Sequence, residues 1–364
     1  MSDDVPTSAP PAAAKKKRHS PWRIVGAVLA ILVILAAAAG VAGWWMLLRV
    51  ENPQAPGKPV TVVVKKGSTA AAIAEQLAAA GVVDNALMFR MRARDSELAS
   101  TFKPGTYALA TGMPYELVFE KLATGPEIVY VDFTIPEGFT AKQVAQRIAD
   151  KTGLSGDELM MLVTTGAPEF AARHQYLARA AGGSLEGFLF PKTYRVKKGT
   201  SAKAVIEMML DQFDKELAAI DLSYSASKNL NTTDIVIIAS IAEREAQLSK
   251  EYPLVTSVIY NRLHAKMRLE MCSTVLYTMP EGTKVLKNAD TEVKTPYNTY
   301  QMKGLPAGPI CNPGLKALEA AAHPAPGKYL YYVLTGKDGS QTFTTNYDDF
   351  LKAKTKYKKV FGVK

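Results

Sequence analysis

Two acids at the end of an apolar stretch are the residues of this sequence best suited to chemistry. Residues 234–247 read DIVIIASIAEREAQ, which predicts a helix. At about 100° per residue, Glu245 shares a face with Ile238 and Ile241, whereas Glu243 points away. A carboxyl group aimed into apolar surroundings tends to keep its proton, as a general acid must. Glu245 is therefore the candidate catalytic residue.

Other carboxylates remain open as alternatives. The same pattern would fit a structural glutamate that accepts from a backbone N–H or pairs with an arginine. Glu243 could hold Arg244 or a structural amide, or it could itself be the acid. Glu270 could enter the same cleft or form a surface ion pair. The sequence alone leaves these alternatives standing.

The elements around the acids can be predicted from caps and periodicity. Asn231 and Asp234 are suited to cap the apolar helix, and a second helix with apolar residues from 255 to 263 carries Asn261 and Arg262 near its end. Residues 295–314 are rich in Pro and Gly, which predicts a long ordered loop without regular structure. A hairpin and a final helix complete the chain.

An N-terminal segment predicts attachment to a membrane. Residues 24–48 carry no charge, and as a helix they would span roughly 37 Å, against about 30 Å of hydrocarbon. A basic cluster at 15–18 precedes them, which predicts a cytoplasmic N-terminus, a disordered cytoplasmic tail at 1–23 and an extracytoplasmic remainder. A cleaved signal peptide is the alternative, although its apolar region would normally be shorter.

A strand, glycine turn and helix recur along the next part of the chain. The pattern around Gly67 and Thr69 recurs 71 residues later around Gly138 and Thr140, and a weaker third copy surrounds Gly199. The first two copies predict small α+β modules over residues 49–180. We place a domain boundary near Ala180 and a larger domain over 181–364. The predicted fold class is α+β.

Charge and cysteine content narrow the classes of function. The formal net charge is +10, and most of it falls on the part predicted to be exported, which suits an anionic polymer or lipid headgroups. No nucleic-acid-binding signature occurs, so nucleic acid is not an expected partner. Cys272 and Cys311 could form a disulfide or remain two unpaired thiols. Neither a metal motif nor a cofactor motif is present, because the four histidines lack ligand spacing.

Several short motifs, taken in order, resemble the endolytic murein transglycosylase (YceG-like) family. The resemblance covers essentially the whole chain, and it is specific because the order of the motifs extends across about 140 residues. The motifs are IASIAERE ending at Glu245, Asn261-Arg262-Leu263, Met267-Arg268-Leu269, Ser273-Thr274-Val275, Tyr297-Asn298-Thr299-Tyr300, Gly304-Leu305-Pro306 and Ala321-Ala322-His323-Pro324, with Leu185-Glu186-Gly187 upstream.

The resemblance implies an activity, a substrate and a site. It implies an extracytoplasmic enzyme that cuts β-1,4 bonds between N-acetylmuramic acid and N-acetylglucosamine within nascent peptidoglycan strands, leaves a 1,6-anhydro end, and uses Glu245 as the single catalytic acid and base. It implies that the repeats are LysM-like and bind glycan, that residues 181–364 are a mixed α/β catalytic domain, and that penicillin-binding proteins or other wall-synthesis enzymes are partners.

A group of polar and aromatic residues is suited to bind acetamido sugars, by its chemistry and by the resemblance. The alternative is that these side chains cap turns and fill space beneath the loop. With Glu270, the group comprises Asn261, Arg262, Tyr297, Asn298, Thr299 and Tyr300.

The chain also departs from the family pattern. Leu269-Glu270-Met271-Cys272 stands where relatives often carry Leu-Gln-x-Asp, and Gln341 stands where relatives can carry histidine. These changes affect hydrogen bonds around the acid rather than the acid itself. The resemblance places Cys272 and Cys311 around one cleft, which favours their pairing. A non-catalytic wall-binding anchor is the competing class, and a peptidase is weaker because no nucleophile elbow or metal motif occurs.

Overall fold

A computed structural model describes residues 21–49, 57–283 and 285–362. The chain divides into two compact units after Glu127, and each has its own hydrophobic core. Residues 1–20 of the predicted tail lie outside the described residues.

The first unit contains one long helix and a small α+β module. Among the described residues, one helix is long and apolar enough to cross a membrane, Ile24–Trp44 within α1, and its side chains are exposed. In the module, β1 and β2 pair antiparallel, with Val62 opposite Tyr107. The elements are α1 (Pro21–Arg49), β1 (Pro59–Val64), α2 (Ala70–Ala79), α3 (Ala86–Asp95), β2 (Gly105–Ala110) and α4 (Tyr115–Thr124).

The second unit is mixed α/β, with two antiparallel strand pairs, β3 with β4 and β5 with β6. Its helices are α5 (Ala141–Thr152), α6 (Gly156–Thr165), α7 (Ala167–Phe170), α8 (Ala202–Leu217), α9 (Ser223–Ser227), α10 (Thr232–Glu245), α11 (Tyr252–His264), α12 (Cys272–Leu276), α13 (Leu315–Ala322) and α14 (Tyr347–Phe361). Its strands are β3 (Tyr130–Thr134), β4 (Thr193–Lys197), β5 (Tyr331–Leu334) and β6 (Gln341–Thr344).

The boundary expected near Ala180 is replaced by the division after Glu127. Phe133 and Val144 belong to the same buried core as Ile238 of α10. A boundary at residue 180 would cut through this core. Residues 128–180 therefore belong to the unit that contains α10.

Each copy of the repeat folds as a strand, a glycine turn and a helix, as its sequence predicts. The three copies are β1 with α2, β3 with α5, and β4 with α8. At each turn the glycine has a positive φ, a conformation that favours glycine. A hydroxyl side chain then caps each helix: Thr69, Thr140 and Ser201 accept from backbone N–H groups of the first turn.

The helix that carries the two acids is the centre of the larger core. Asn231 caps α10, as predicted, and Asp234 accepts from the Asn231 N–H at 2.9 Å, so the two residues form a capping box. The apolar residues 235–239 are buried on every face, so packing rather than helix propensity secures this helix. The chain turns away after Glu245, because Ala246 adopts an extended conformation.

Residues 293–314 form neither helix nor strand, apart from one bridge between Lys303 and Arg268. Side-chain amides bind this segment to its surroundings. The Asn298 side chain donates to the carbonyls of Thr291 and Val293, and Asn312 donates to the carbonyl of Phe139. Such bonds replace the backbone ladder that the segment lacks.

Candidate active site

Glu245 ends α10 half-buried, and two donors from distant parts of the chain fix its carboxylate. Oε1 accepts from the backbone N–H of Ser273, in α12, at 2.8 Å. Oε2 accepts from the hydroxyl of Tyr332, in β5, at 2.8 Å. A carboxylate held at both oxygens has a defined direction, which a proton-transfer group needs.

Tyr332 is a site residue that sequence reasoning missed. Its hydroxyl also lies 2.9 Å from the sulfur of Met271, and burial raises its pKa well above the usual range. The hydroxyl therefore keeps its proton and remains a donor to Glu245. The only signal in the sequence was an aromatic strand, since nothing local indicates that β5 reaches the end of α10.

Glu243 faces a different part of the unit, as the helical periodicity predicts. Oε1 accepts from the hydroxyl of Tyr252 at 2.7 Å, and Oε2 accepts from the backbone N–H of Gly314 at 3.1 Å. Burial raises the pKa of Glu243, and these two hydrogen bonds oppose the shift. Its carboxylate thus holds a structural amide, one of the alternatives that the sequence left open.

A second buried acid, Glu186, was quoted in a motif but given no role by the sequence. It is 4% exposed and accepts from the N–H of Ala141 at 2.9 Å and from the hydroxyl of Tyr277 at 3.1 Å. Burial raises its pKa to about 7, against those hydrogen bonds. The sequence did contain a signal for this residue, because an acid within an apolar, aromatic segment needs buried hydrogen-bond partners.

A cavity of about 480 Å³ is lined by Glu186, whereas Glu245 is not among its lining residues and adjoins it through Ser273. Ser273, whose N–H binds Glu245, lines it together with Arg244 and Glu186. The first turn of α5 supplies a further wall, so the second repeat contributes directly to this cavity. The remaining lining residues are Thr140, Lys142, Gln143, Leu276, Tyr277, Thr278, Met279, Pro280, Glu281, Gly282, Thr283 and Ile310.

Two of the residues expected to bind sugar are instead engaged with backbone carbonyls. The Asn261 side chain donates to the carbonyl of Tyr329 at 2.9 Å. Arg262 is buried, with Nε donating to Leu330 at 2.7 Å and Nη1 donating to Leu269 at 2.8 Å. These contacts correspond to the scaffold alternative.

Asn298 and Thr299 are also buried and saturated with internal hydrogen bonds. Asn298 Oδ1 accepts from the N–H of Tyr300 at 2.9 Å, and Thr299 Oγ1 accepts from the N–H of Met271 at 2.9 Å. Thr299 therefore holds the residue that precedes α12, whereas Asn298 fixes its own segment between Thr291 and Tyr300. The sequence could not decide between binding and scaffold, because both roles use the same polar residue types.

The other three expected sugar contacts retain some exposure. Tyr300 is half-buried, with its hydroxyl 3.1 Å from the sulfur of Cys272. Tyr297 packs its ring 5.0 Å from that of Tyr277. Glu270 is exposed, with a positive φ, and lies 3.4 Å from Arg262 Nη1.

The cysteines are both free thiols, so the disulfide considered from the sequence is not formed. Cys311 is buried, with its sulfur 3.4 Å from the carbonyl of Ser240, whereas Cys272 is exposed beside Tyr300. Each thiol has its own partner. Burial raises the pKa of Cys311, and desolvation of the sulfur together with the nearby Glu245 charge raises the pKa of Cys272 although that residue is exposed. The resemblance placed both cysteines around one cleft, but a disulfide also needs a specific distance and orientation of the two side chains.

The tertiary structure also gathers a His/Asp group that sequence spacing does not reveal. His174 lies between Asp211 and Asp214 of α8, with Nδ1 2.7 Å from Asp214 Oδ2. Arg173 Nη2 donates to Asp211 at 2.8 Å. The guanidinium already supplies a positive charge to this group, and we assign no metal to it.

Gln341 contacts the backbone of the candidate acid. Its Nε2 donates to the carbonyl of Glu245 at 2.8 Å, and its own N–H donates to Glu251 at 3.1 Å. The amide thus ties β6 to the end of α10, where the carbonyls of a helix lack internal partners.

Comparisons with known proteins agree with this architecture. A protein named endolytic murein transglycosylase from Streptococcus pneumoniae (strain ATCC BAA-255 / R6) is 31% identical over 318 residues, covering 80% of this chain. The match spans only 57% of that relative's length. A protein of the same name from Bacillus subtilis (strain 168) is 31% identical over 307 residues, covering 82% of this chain and 84% of the relative.

A solved structure and a family profile extend the comparison. The crystal structure of a yceG-like protein from Listeria monocytogenes superposes with a TM-score of 0.53 at 30% identity, covering 81% of this chain and 99% of that one. The profile of the YceG-like family matches residues 62–356, which include the whole site and all three strand-turn-helix copies apart from the first residues of β1. This chain therefore belongs to the YceG-like family.

Proposed function

We propose that this chain is an endolytic peptidoglycan lytic transglycosylase. It cuts the β-1,4 bond between N-acetylmuramic acid and N-acetylglucosamine within nascent glycan strands, leaves a 1,6-anhydro end, and so terminates strand elongation. The names of its relatives support this activity. The observation that carries the proposal is the half-buried carboxylate of Glu245, fixed by Ser273 and Tyr332 beside a polar cavity.

In the proposed mechanism Glu245 is the single acid and base. Its protonated carboxyl group gives a proton to the glycosidic oxygen as the bond from C1 to that oxygen breaks. The C6 hydroxyl of the same muramyl residue then forms a bond to C1 and returns its proton to Glu245. The nucleophile is part of the substrate, so proximity lowers the barrier and neither water nor a cofactor is consumed.

The surrounding residues divide into contacts and framework. Tyr300, Tyr297 and Glu270 keep partial exposure and are proposed to contact sugar, together with the lining of the cavity, where Thr140 and Gln143 offer hydrogen bonds to acetamido groups. Four other residues, whose side chains are occupied by internal hydrogen bonds, are proposed to hold the framework that presents these sugar contacts. They are Asn261, Arg262, Asn298 and Thr299.

The rest of the chain is proposed to place this activity at the wall. Helix α1 would anchor the protein in the membrane with its N-terminus in the cytoplasm, and the remainder would be extracytoplasmic. The strand-turn-helix modules would act as LysM-like glycan binders. Nascent peptidoglycan is the proposed substrate, with penicillin-binding proteins or other wall-synthesis enzymes as partners.

The proposal is tested by incubating the full chain, in detergent, with purified peptidoglycan strands in oxygen-18-labelled water. Mass spectrometry should show new anhydro-muramyl ends without label, at positions internal to the strands. Labelled reducing ends would identify a hydrolase and contradict the mechanism. Intact strands that remain bound would identify the alternative, a wall-binding anchor.

Variants assign the acid. Glu245→Gln should abolish anhydro ends while the protein still folds. Glu243→Gln should retain product formation and lower stability instead, because the amide cannot accept from Gly314 and Tyr252 in the same way. Glu169→Gln, an exposed position paired with Lys203, is the matched control. Loss of product in Glu243→Gln alone would transfer the role to Glu243.

A further inference from the structure

Glu186 joins three walls of the cavity although it lies outside the proposed proton transfer. Oε1 accepts from Ala141, at the start of α5, at 2.9 Å and from the Asn312 side chain at 3.4 Å. Oε2 accepts from the hydroxyl of Tyr277 at 3.1 Å. One carboxylate therefore connects α5, the residue after α12 and the loop before α13. It is buried, so no solvent competes for these bonds.

The contact with Tyr277 leads directly to the candidate acid. The backbone N–H of Tyr277 donates to the carbonyl of Ser273 at 3.0 Å, across the single turn of α12. The N–H of Ser273 in turn donates to Glu245 Oε1. Helix α12 has five residues and cannot hold its own position by helix formation alone. Its placement, and the direction of the Ser273 N–H, depend on what holds its ends.

We propose that Glu186 is a positioning residue: its buried carboxylate holds α12 through Tyr277, so that the Ser273 N–H stays directed at Glu245. This inference rests on the proposed function for its catalytic consequence. Its structural consequence, the order of α12, does not depend on that function. Glu186 itself touches no reacting atom in this scheme.

The positioning contact is sensitive to protons near neutral pH. Burial raises the pKa of Glu186 to about 7, and protonation removes one acceptor from the three donors that meet there. Burial raises the pKa of the Tyr277, Tyr297 and Cys311 side chains, so these groups stay neutral. The charged or titratable groups that face Glu186 are Lys142 from α5, Tyr277 after α12, and Tyr297 and Cys311 from the loop.

The first test is the pH profile of anhydro-end formation in Glu186→Gln, with Glu169→Gln as the matched control. Glutamine has the shape of the protonated acid, so we expect the variant to behave at every pH like the wild type at low pH. Its kcat should be roughly 10- to 100-fold lower above pH 7, the loss typical of a slightly displaced catalytic group, with KM changed less than kcat. The wild-type ionisation near pH 7 should disappear. A kcat and a pH profile equal to those of the wild type would overturn the proposal.

The second test measures the order of α12 without activity. Hydrogen exchange of the segment that contains Ser273 should become faster in Glu186→Gln than in the wild type at pH 8, whereas Glu169→Gln should leave it unchanged. Unaltered protection overturns the proposal even if the enzyme is active. The two proposals can fail separately. If the wild type makes no anhydro ends but exchange near Ser273 is still faster in Glu186→Gln, the proposed function is contradicted and this inference stands.

Should Glu186→Gln fail to fold, Tyr277→Phe replaces it, because this change removes only the hydroxyl that reaches Glu186. We expect the same faster exchange at Ser273 and the same direction of change in kcat. Wild-type exchange and wild-type kcat in Tyr277→Phe would show that the contact positions nothing.

Discussion

Removing the Tyr332 hydroxyl should slow the reaction with little effect on the fold. Tyr332→Phe deletes the donor to Glu245 Oε2 and leaves a ring of the same shape, which packs 5.7 Å from Phe343. A hydrogen bond to a charged group contributes about 1.5–3 kcal/mol. If that interaction orients the carboxylate in the transition state, its loss lowers kcat/KM by roughly 10- to 150-fold.

The assay is the initial rate of anhydro-end formation on purified strands, with thermal unfolding measured in parallel. Tyr331→Phe is the matched control, since this neighbour on the same strand stacks 5.4 Å from Phe350 and its hydroxyl makes no hydrogen bond among the described residues. The control should retain the wild-type rate. A wild-type rate in Tyr332→Phe would refute the orienting role. Equal losses in both variants would trace the effect to β5 as a whole.

Three further predictions concern stability and reactivity. The pKa of Glu186 in the folded protein, about 7, lies above the usual 4.5, so the folded state binds this proton more tightly. Ionisation of Glu186 should therefore lower stability by roughly 3 kcal/mol from about pH 4.5 to about pH 7, and the fall measured by urea unfolding should be smaller by that amount in Glu186→Gln. Gly187→Ala should destabilise by about 1–3 kcal/mol more than Gly199→Ala in the same assay. Both glycines have a positive φ, but a Cβ at Gly187 would lie 2.5 Å from Pro309, whereas Gly199 faces open space. A maleimide should label Cys272 in the native protein because this residue is exposed, but slowly, because desolvation of its sulfur raises its pKa. Cys311 is buried and should be labelled only after unfolding. Mass spectrometry of the labelled peptides checks both outcomes.

The separation of the two acids could be predicted from the sequence, because it depends only on the geometry of one helix. Glu245 and Glu243 are two residues apart and therefore point about 200° apart around α10. The capping box of Asn231 and Asp234 and the three strand-turn-helix copies were predictable for the same reason. In each case a few neighbouring residues determine the local conformation.

The roles of the polar residues that bind backbone carbonyls could not be assigned from the sequence. Asn261 and Arg262 carry groups that suit sugar, but their hydrogen bonds go to carbonyls 68 residues away in the chain. Tyr332 lies 87 residues from Glu245 and reaches it only because the fold brings β5 near the end of α10. Whether a polar group is free for substrate depends on such long-range partners, which no spacing rule contains.

The sequence by itself determined local conformation, the apolar N-terminal helix and the candidate acid, since these follow from periodicity, caps and composition. The tertiary structure alone decided which unit residues 128–180 join, that Cys272 and Cys311 stay unpaired, and that Glu186 is buried beside the cavity. The physical reason is that burial and hydrogen-bond satisfaction belong to the packed chain. A residue's type limits what it can do, and its neighbours in space decide which of those roles it performs.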